Sequence, residues 1–281
     1  MTEIDRAAAV PTGLVDGLDH ARAHTDSAPL GSRVLYFPVA SSTNDLAAKL
    51  AQQGTPDGTL VIAGQQTAGR GRGGHQWYSP PGSGLYVSIV LDTHPGHSGD
   101  WVHALTLATG VAMAEGLHAA SGLPVVIKWP NDLVMAPAGT VRGARKLAGI
   151  LAEAQTDAGS LSHIIVGIGV NVGPAAWPAE ISSRATSLEE ELGRPVDPAL
   201  VLGASLARIG TWVRRLRAGH AAVVRTRWQQ LAVGAIGATV EIPHAEGPRR
   251  GVTCGIDGDG ALLVRHGTGT ERVVGGEVTW L

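Results

Sequence analysis

Between two apolar segments, Thr59 to Gln65 (TLVIAGQ) and Gly84 to Leu91 (GLYVSIVL), the chain runs through a long glycine-rich stretch that suits neither helix nor strand. Glycine lets a backbone take positive φ and approach a ligand closely. Within the stretch, Gln66 to Trp77 reads QTAGRGRGGHQW. Arg70 and Arg72, separated by Gly71, present planar donor forks suited to phosphate or carboxylate oxygens, and Trp77 offers a flat face or a lid. Gly69-x-Gly71-x-x-Gly74 also matches the dinucleotide fingerprint, but that motif needs a helix opening inside it. Here Trp-Tyr-Ser-Pro-Pro follows instead, and no GxxxxGK[ST] loop exists. Any nucleotide is therefore held in another way.

The rest of the chain alternates strands with helices. Arg33 to Val39 reads as a strand, and Ser41 to Asp45 supplies capping side chains for a helix with an apolar stripe at Leu46, Ala47 and Leu50. Asp100 to Ala120 has helical spacing of Val102, Leu105, Leu107, Val111, Met113 and Leu117. Val125 to Trp129 is a strand, Pro130-Asn131-Asp132 a turn, and Leu133 to Met135 continues extended. Ala136 to Arg145 is a loop. Lys146 to Gln155 and Ser162 to Val170 read as central strands, and Pro198 to Arg217 and His220 to Leu231 as helices. After residue 233, short strands at Val240 to Ile242, Arg250 to Gly255, Ala261 to Val264 and Glu271 to Val274 suggest a small β-barrel. Residues 1–30, broken by Pro11 and Gly13, are expected to be a poorly structured and poorly packed leader, with one short helix at most. The expected division is 1–30, 31–233 and 234–281.

The 281 residues are 44% hydrophobic and 16% charged, with a formal net charge of −2. That composition supports a packed core and provides no basic field for nucleic acid. One cysteine, Cys254, excludes an internal disulfide. With no signal peptide and no apolar run long enough to span a bilayer, the cytosol is the expected location. His94, His97 and His103 form no metal-ligand pattern, so no metal centre is expected. Lysine and asparagine are scarce: Lys49, Lys128 and Lys146, and Asn44, Asn131 and Asn171. Arginine cannot replace a compact ammonium at every site, which draws attention to Lys128-Trp129-Pro130-Asn131-Asp132 and Lys146-Leu147-Ala148-Gly149-Ile150-Leu151. Gly167-Ile168-Gly169-Val170-Asn171 puts two glycines inside a strand, the mark of a close approach by backbone or ligand.

Ser42-Thr43-Asn44, Gln66 with Gly69-Arg70-Gly71-Arg72 and Trp77, the Lys128 and Lys146 segments and Gly167 to Asn171, in that order, resemble the biotin protein ligases, or biotin–[acetyl-CoA-carboxylase] ligases, over about residues 33 to 281. Gly275-Gly276-Glu277-Val278 looks like the tail of that family's small domain. The resemblance implies an α/β (α+β) fold: a mixed sheet flanked by helices, class II synthetase-like, with a C-terminal SH3-like β-barrel. It implies that biotin is adenylated by Mg²⁺·ATP to biotinyl-5′-AMP, then transferred to a lysine of a carboxylase's biotin carrier domain. Ser42, Thr43, Asn44, Gln66, Arg70, Gly71, Arg72, Lys146, Gly149 and Gly169 would bind biotin. Arg70, Arg72, Trp77, Asn131, Lys146 and Asn171 would bind ATP or the adenylate. Arg72, Lys146 and Asp132 would carry the chemistry, with Asp132 steadying the cations or Mg²⁺.

Three departures bear on these expectations. Gly73-Gly74-His75-Gln76 stands where the family loop is often more basic, which implies a more mobile loop. The 136–145 segment is longer than in compact members. The segment before the core is short and non-basic, so a ligase without DNA binding is expected, as a monomer or weak homodimer. A lipoate or octanoate ligase or transferase of the same fold group is the alternative.

Overall fold

The computed structural model describes residues 2–24, 30–93, 100–157, 159–244, 247–267, 269–275 and 278–281. His94, His97, Gly276 and Glu277 therefore lie outside the described residues. The main sheet has seven strands: β1 (Val34–Phe37), β2 (Leu60–Ala63), β3 (Gly84–Asp92), β4 (Val126–Lys128), β5 (Asp132–Met135), β6 (Arg145–Asp157) and β7 (Ser160–Asn171). Their order is β1-β2-β3-β7-β6-β5-β4. β1 and β2 pair parallel and every other neighbour antiparallel, so the sheet is mixed as expected.

One face is covered by helices. α3 (Asp100–Ser121) packs on α6 (Pro198–Arg217), flanked by α1 (Thr12–Ala23) and α7 (Ala221–Leu231). Asp197 caps α6, accepting from Ala199 N at 2.9 Å, and Pro198 occupies the first turn, where its missing N–H costs nothing. The other face holds α2 (Thr43–Gln52), whose Leu46, Ala47, Leu50 and Ala51 bury against Phe37, Val61, Tyr86 and Val90. Two short helices, α4 (Ala179–Ser182) and α5 (Leu188–Leu192), follow β7.

The leader holds the one helix allowed for it, but that helix is packed rather than loose. Pro11 precedes α1 rather than breaking it, and Leu18 and Ala21 are buried. Gly17 and Gly203 bring α1 and α6 so close that a Cβ on Gly203 would lie 2.8 Å from Gly17 O. Glycines that look like breaks in an apolar pattern are here the helix crossing itself. Ahead of the helix, Ala8 N bonds Tyr36 O on the β1 edge, and Glu3 accepts from Ser41 N and Oγ at 2.6 and 2.9 Å.

After Val233 the chain forms a five-stranded antiparallel sheet, order β11-β10-β9-β8-β12, from β8 (Ile236–Ile242), β9 (Arg249–Ile256), β10 (Leu262–His266), β11 (Gly269–Val273) and β12 (Thr279–Trp280). The last strand was not expected from sequence. Val240, Leu262 and Val264 join the core under α3 and α6, and Trp129 Nε1 donates to Gly260 O at 3.0 Å. The 136–145 loop folds onto this junction: Val141 and Trp280 meet at Gly234, whose φ of +71° suits glycine. Arg145 pairs with Glu191 at 2.6 Å.

Candidate active site

Sheet register lays the site out in rows. Lys128 faces Asp132, Asp132 faces Gly149, Gly149 faces Gly169, and Gly169 faces Tyr86, from β4 across to β3. The next row joins Leu151, Gly167 and Ser88. Directly opposed residues share a face, and here it is the face that carries α2. The cavity above these rows is lined by Ser42, Thr43, Asn44, Gln66, Arg70, Gly71, Arg72, Trp77, Asn131, Lys146, Gly149 and Gly169, with Ile150, Leu151, Gly167 and Ile168.

The cavity has two chemically distinct ends. At one, α2 begins. Thr43 N and Oγ1 donate to Gln66 Oε1 at 2.8 and 3.1 Å, and Gln66 Nε2 donates to Ser79 Oγ at 2.9 Å. Ser88 Oγ lies 2.8 Å from Thr43 Oγ1 and 2.6 Å from Asn44 Oδ1. Asn44 Nδ2 donates to Glu153 Oε2 at 2.6 Å. A Cβ on Gly167 would strike the Asn44 amide, so this glycine makes room for a side chain of the chain itself. Arg70 closes the end with a two-pronged bond to Glu153, 2.7 Å on each prong, and a 2.7 Å pair with Asp45. Those bonds hold its guanidinium pKa above the ordinary arginine value.

The other end is cationic. Lys146 Nζ pairs with Asp132 Oδ1 at 2.6 Å and lies 5.2 Å from the centre of the Trp77 ring. Lys128 is pushed below the ordinary lysine value, first by burial; Asp132 opposes the shift, and Lys146 and Arg184 add to it. Arg72 donates to Val274 O at 3.2 Å and sits 6.0 Å from the Trp129 ring centre. Its charge is disfavoured by burial and supported by Asp132. Arg72 also lines a second cavity with Trp129, His103, Asp259 and Arg272.

Trp77 lies between the ends. A Cβ on Gly169 would overlap its indole, and one on Gly149 would come within 3.0 Å of it. The indole N–H is buried without a partner. The free space left in the cavity is about 40 Å³, far below the several hundred typical of a ligand pocket. Gly149 and Gly169 thus mark a close approach, and the approaching group is the loop's own tryptophan.

Asp132 and Asn171 stand outside the lining. Asp132 reaches the site through Lys146. Asn171 donates to Thr186 O at 2.9 Å and Lys146 O at 3.4 Å, so it holds the strand that carries Lys146. Asn131 Nδ2 donates to Ile150 O at 2.6 Å. Glu153, Ser88, Asp45 and Ser79 were not anticipated as site residues. Their signal was present for two of them: Ser88 and Glu153 are the polar residues of otherwise apolar strand segments. Among the described residues no group of His, Cys, Asp and Glu could hold a metal ion, and no helix is long and apolar enough to cross a membrane.

The cavity thus joins a hydrogen-bonding end and a cationic end beneath the Trp77 ring, an arrangement suited to a ligand that is polar at one end and anionic at the other. Residues 36–171 match the model of the biotin/lipoate A/B protein ligase family. The chain is 33% identical over 89% of its length, and 74% of the relative's, to the bifunctional ligase/repressor BirA of Bacillus subtilis. It is 34% identical to the biotin–[acetyl-CoA-carboxylase] ligase of Mycobacterium tuberculosis, over 85% of this chain and 86% of that one. The biotin protein ligase of Aquifex aeolicus, solved with biotin and ATP, superposes with a TM-score of 0.73 at 28% identity, covering 89% of this chain and 98% of that one. The chain belongs to the biotin/lipoate A/B protein ligase family.

Proposed function

We infer that the chain is an ATP-dependent biotin–protein ligase of the biotin–[acetyl-CoA-carboxylase] type. The observation that carries this is the polarity of the cavity. A cyclic urea needs paired donors and acceptors, which Ser42, Thr43, Asn44 and Gln66 provide. A carboxylate meeting an α-phosphate needs cations, which Arg72 and Lys146 provide. On this reading residues 31–233 form the catalytic unit and 234–281 a smaller β unit that supplies the Val274 carbonyl to Arg72.

In the first half-reaction a carboxylate oxygen of biotin attacks the α-phosphorus, the bond to the β-phosphate oxygen breaks, and pyrophosphate leaves. Two anions meet and negative charge grows, so fixed donors aimed at that charge are the main catalytic resource. Lys146 and Arg72 fill this role. Asp132 holds the Lys146 ammonium in place, and Trp77 and Asn131 border the adenylate. In the second half-reaction the amine of a carrier-domain lysine attacks the acyl carbonyl, AMP departs, and the lysine's proton passes to solvent. No bond to the enzyme forms. Bound to the ATP phosphates, Mg²⁺ would supply further charge neutralisation. The donor set fits a metal carried by phosphates rather than a resident one, since Asp132, the carboxylate beside Lys146, is already held by that lysine. The working location is the cytoplasm, and the acceptor is the carrier domain of a biotin-dependent carboxylase.

ATP–pyrophosphate exchange, run separately with biotin, lipoate and octanoate, tests this reading. Biotin-dependent exchange is expected. Exchange with either other acid and none with biotin overturns it.

A further inference from the structure

Glu153 has no place in the chemistry above, yet it puts a carboxylate behind a cavity that must admit two anions. Its three bonds explain why it is tolerated. It takes both prongs of Arg70 and the amide of Asn44. The Asn44 amide then has only one workable orientation. Its Nδ2 faces two acceptors, Glu153 Oε2 at 2.6 Å and Leu151 O at 3.4 Å. Its Oδ1 must therefore accept, and the fully buried Ser88 hydroxyl, 2.6 Å away, is the donor. With its proton given to Asn44, Ser88 has none for Thr43. The Gln66 amide is fixed likewise, since its Oε1 accepts from Thr43 N and its Nε2 donates to Ser79. Thr43 Oγ1 gives its own proton to Gln66 Oε1 and keeps a lone pair for an incoming donor. One obligate acceptor thus sets the sense of the Asn44 and Ser88 hydrogen bonds, and the Thr43 backbone N–H sets that of Gln66.

We infer that Glu153 is a positioning and specificity-determining residue: its bond to Asn44 makes the ring end of the cavity accept N–H donors, and so favours a cyclic urea over acids whose ring or chain has none, while its bonds to Arg70 anchor the loop. This rests on the biotin reading and adds to it. The Arg70 guanidinium is consumed by Glu153 and Asp45, so it ties the loop down and leaves the phosphate to Arg72 and Lys146.

The test compares full-length wild type, Glu153→Gln and Arg70→Met in pyrophosphate exchange with three acids: biotin, biotin methylated at a ring nitrogen, and octanoate. Glutamine can offer Asn44 either a donor or an acceptor, so the polarity is lost while the shape stays. Glu153→Gln should raise the KM for biotin with kcat little changed, and cut the preference for biotin over N-methylbiotin by roughly tenfold, the worth of one oriented hydrogen bond. Arg70→Met leaves Glu153 and Asn44 in place. It should keep the preference and lose affinity for all three acids alike. A merely structural Glu153 would lower every acid's kcat/KM in proportion, and an unchanged preference in Glu153→Gln overturns the inference. Should that variant not fold, loss of the preference in Arg70→Met overturns it and retention supports it. Wild type that exchanges only with octanoate sinks the biotin reading itself, a separate failure.

Discussion

The two ends of the cavity are built on opposite terms. At the ring end, Arg70, Glu153, Asp45, Asn44, Ser88, Thr43 and Gln66 satisfy one another. At the phosphate end, Arg72, Lys146 and Lys128 gather around Asp132, and burial disfavours the charges of Arg72 and Lys128. The first end is pre-organised for a neutral polar ring. The second holds more cation than Asp132 alone balances, which on the proposed function suits it to an anion from outside. The two loop arginines, alike in sequence, are bonded differently: Arg70 is taken up by Glu153 and Asp45, and Arg72 holds one backbone carbonyl, which on the proposed function leaves Arg72 for the substrate.

The largest test of that contrast is to remove one cation from each end. Arg72→Ala and Lys146→Ala should each lower the adenylation rate by about 10²–10³, the usual loss for one transition-state donor. Arg70→Ala should cost only about tenfold, mostly as faster adenylate release, because a surface-type tie between loop and sheet is modest. Single-turnover formation of biotinyl-AMP and its dissociation rate separate the two effects. Equal losses in the chemical step for Arg70 and Arg72 would erase the distinction drawn here.

Trp77 links the ends, and its effect should be intermediate. Its ring fills the slot over Gly149 and Gly169, so an acid that lies there must displace it. The observed rate of binding should then level off with rising biotin concentration, as ring departure becomes limiting. The accompanying change in tryptophan emission should vanish in Trp77→Phe. A binding rate that climbs linearly to the highest concentrations would mean that the slot is open in solution.

Lys128 sharpens the phosphate end. Because burial lowers its pKa from the ordinary 10.5, its charge is lost at a lower pH than that of an exposed lysine. Affinity for ATP should therefore weaken by a few-fold on the alkaline side before ordinary lysines titrate. Lys128→Gln should remove that limb from a profile of KM for ATP against pH. The sign for stability is the reverse: a depressed lysine penalises folding while charged, so the fold should gain slightly as pH rises through that limb.

How much of this was legible follows from where each signal resides. The strands, long helices and sheet-and-helix layering show in local periodicity, and α6 was readable from Asp197-Pro198 at one end and arginines at the other. The lining residues were readable because loop glycines, scarce lysines and strand-end amides are locally odd. Three things were not. The packing of α1 depends on Gly17 meeting Gly203 across the fold, and in one dimension each looks like a break. Glu153 acts through partners at positions 44 and 70, distant in sequence. Arg72 could be read as a phosphate ligand, but its resting bond to Val274 joins segments that no local pattern connects.

The smallest expected effect belongs to the ring end and to the leader. Glu3 accepts two hydrogen bonds from Ser41, next to Ser42, and the backbone bond from Ser41 is the main cause holding its carboxyl below the ordinary 4.5. A carboxylate with a lowered pKa stabilises the fold above its unfolded value, and that contribution fades as pH falls through the folded one. Glu3→Gln should cost about 1 kcal/mol at neutral pH, as for a partly exposed hydrogen bond, and the difference from wild type should shrink in acid. Denaturant unfolding at neutral and acid pH measures this directly. Adenylation should hardly change, since the rest of the ring end is bonded independently of the leader. If Glu3→Gln instead weakened biotin binding as much as Arg70→Ala does, the pre-organised end would extend through Ser41 into the leader, and the contrast between the two ends would have to be redrawn around the N-terminal segment.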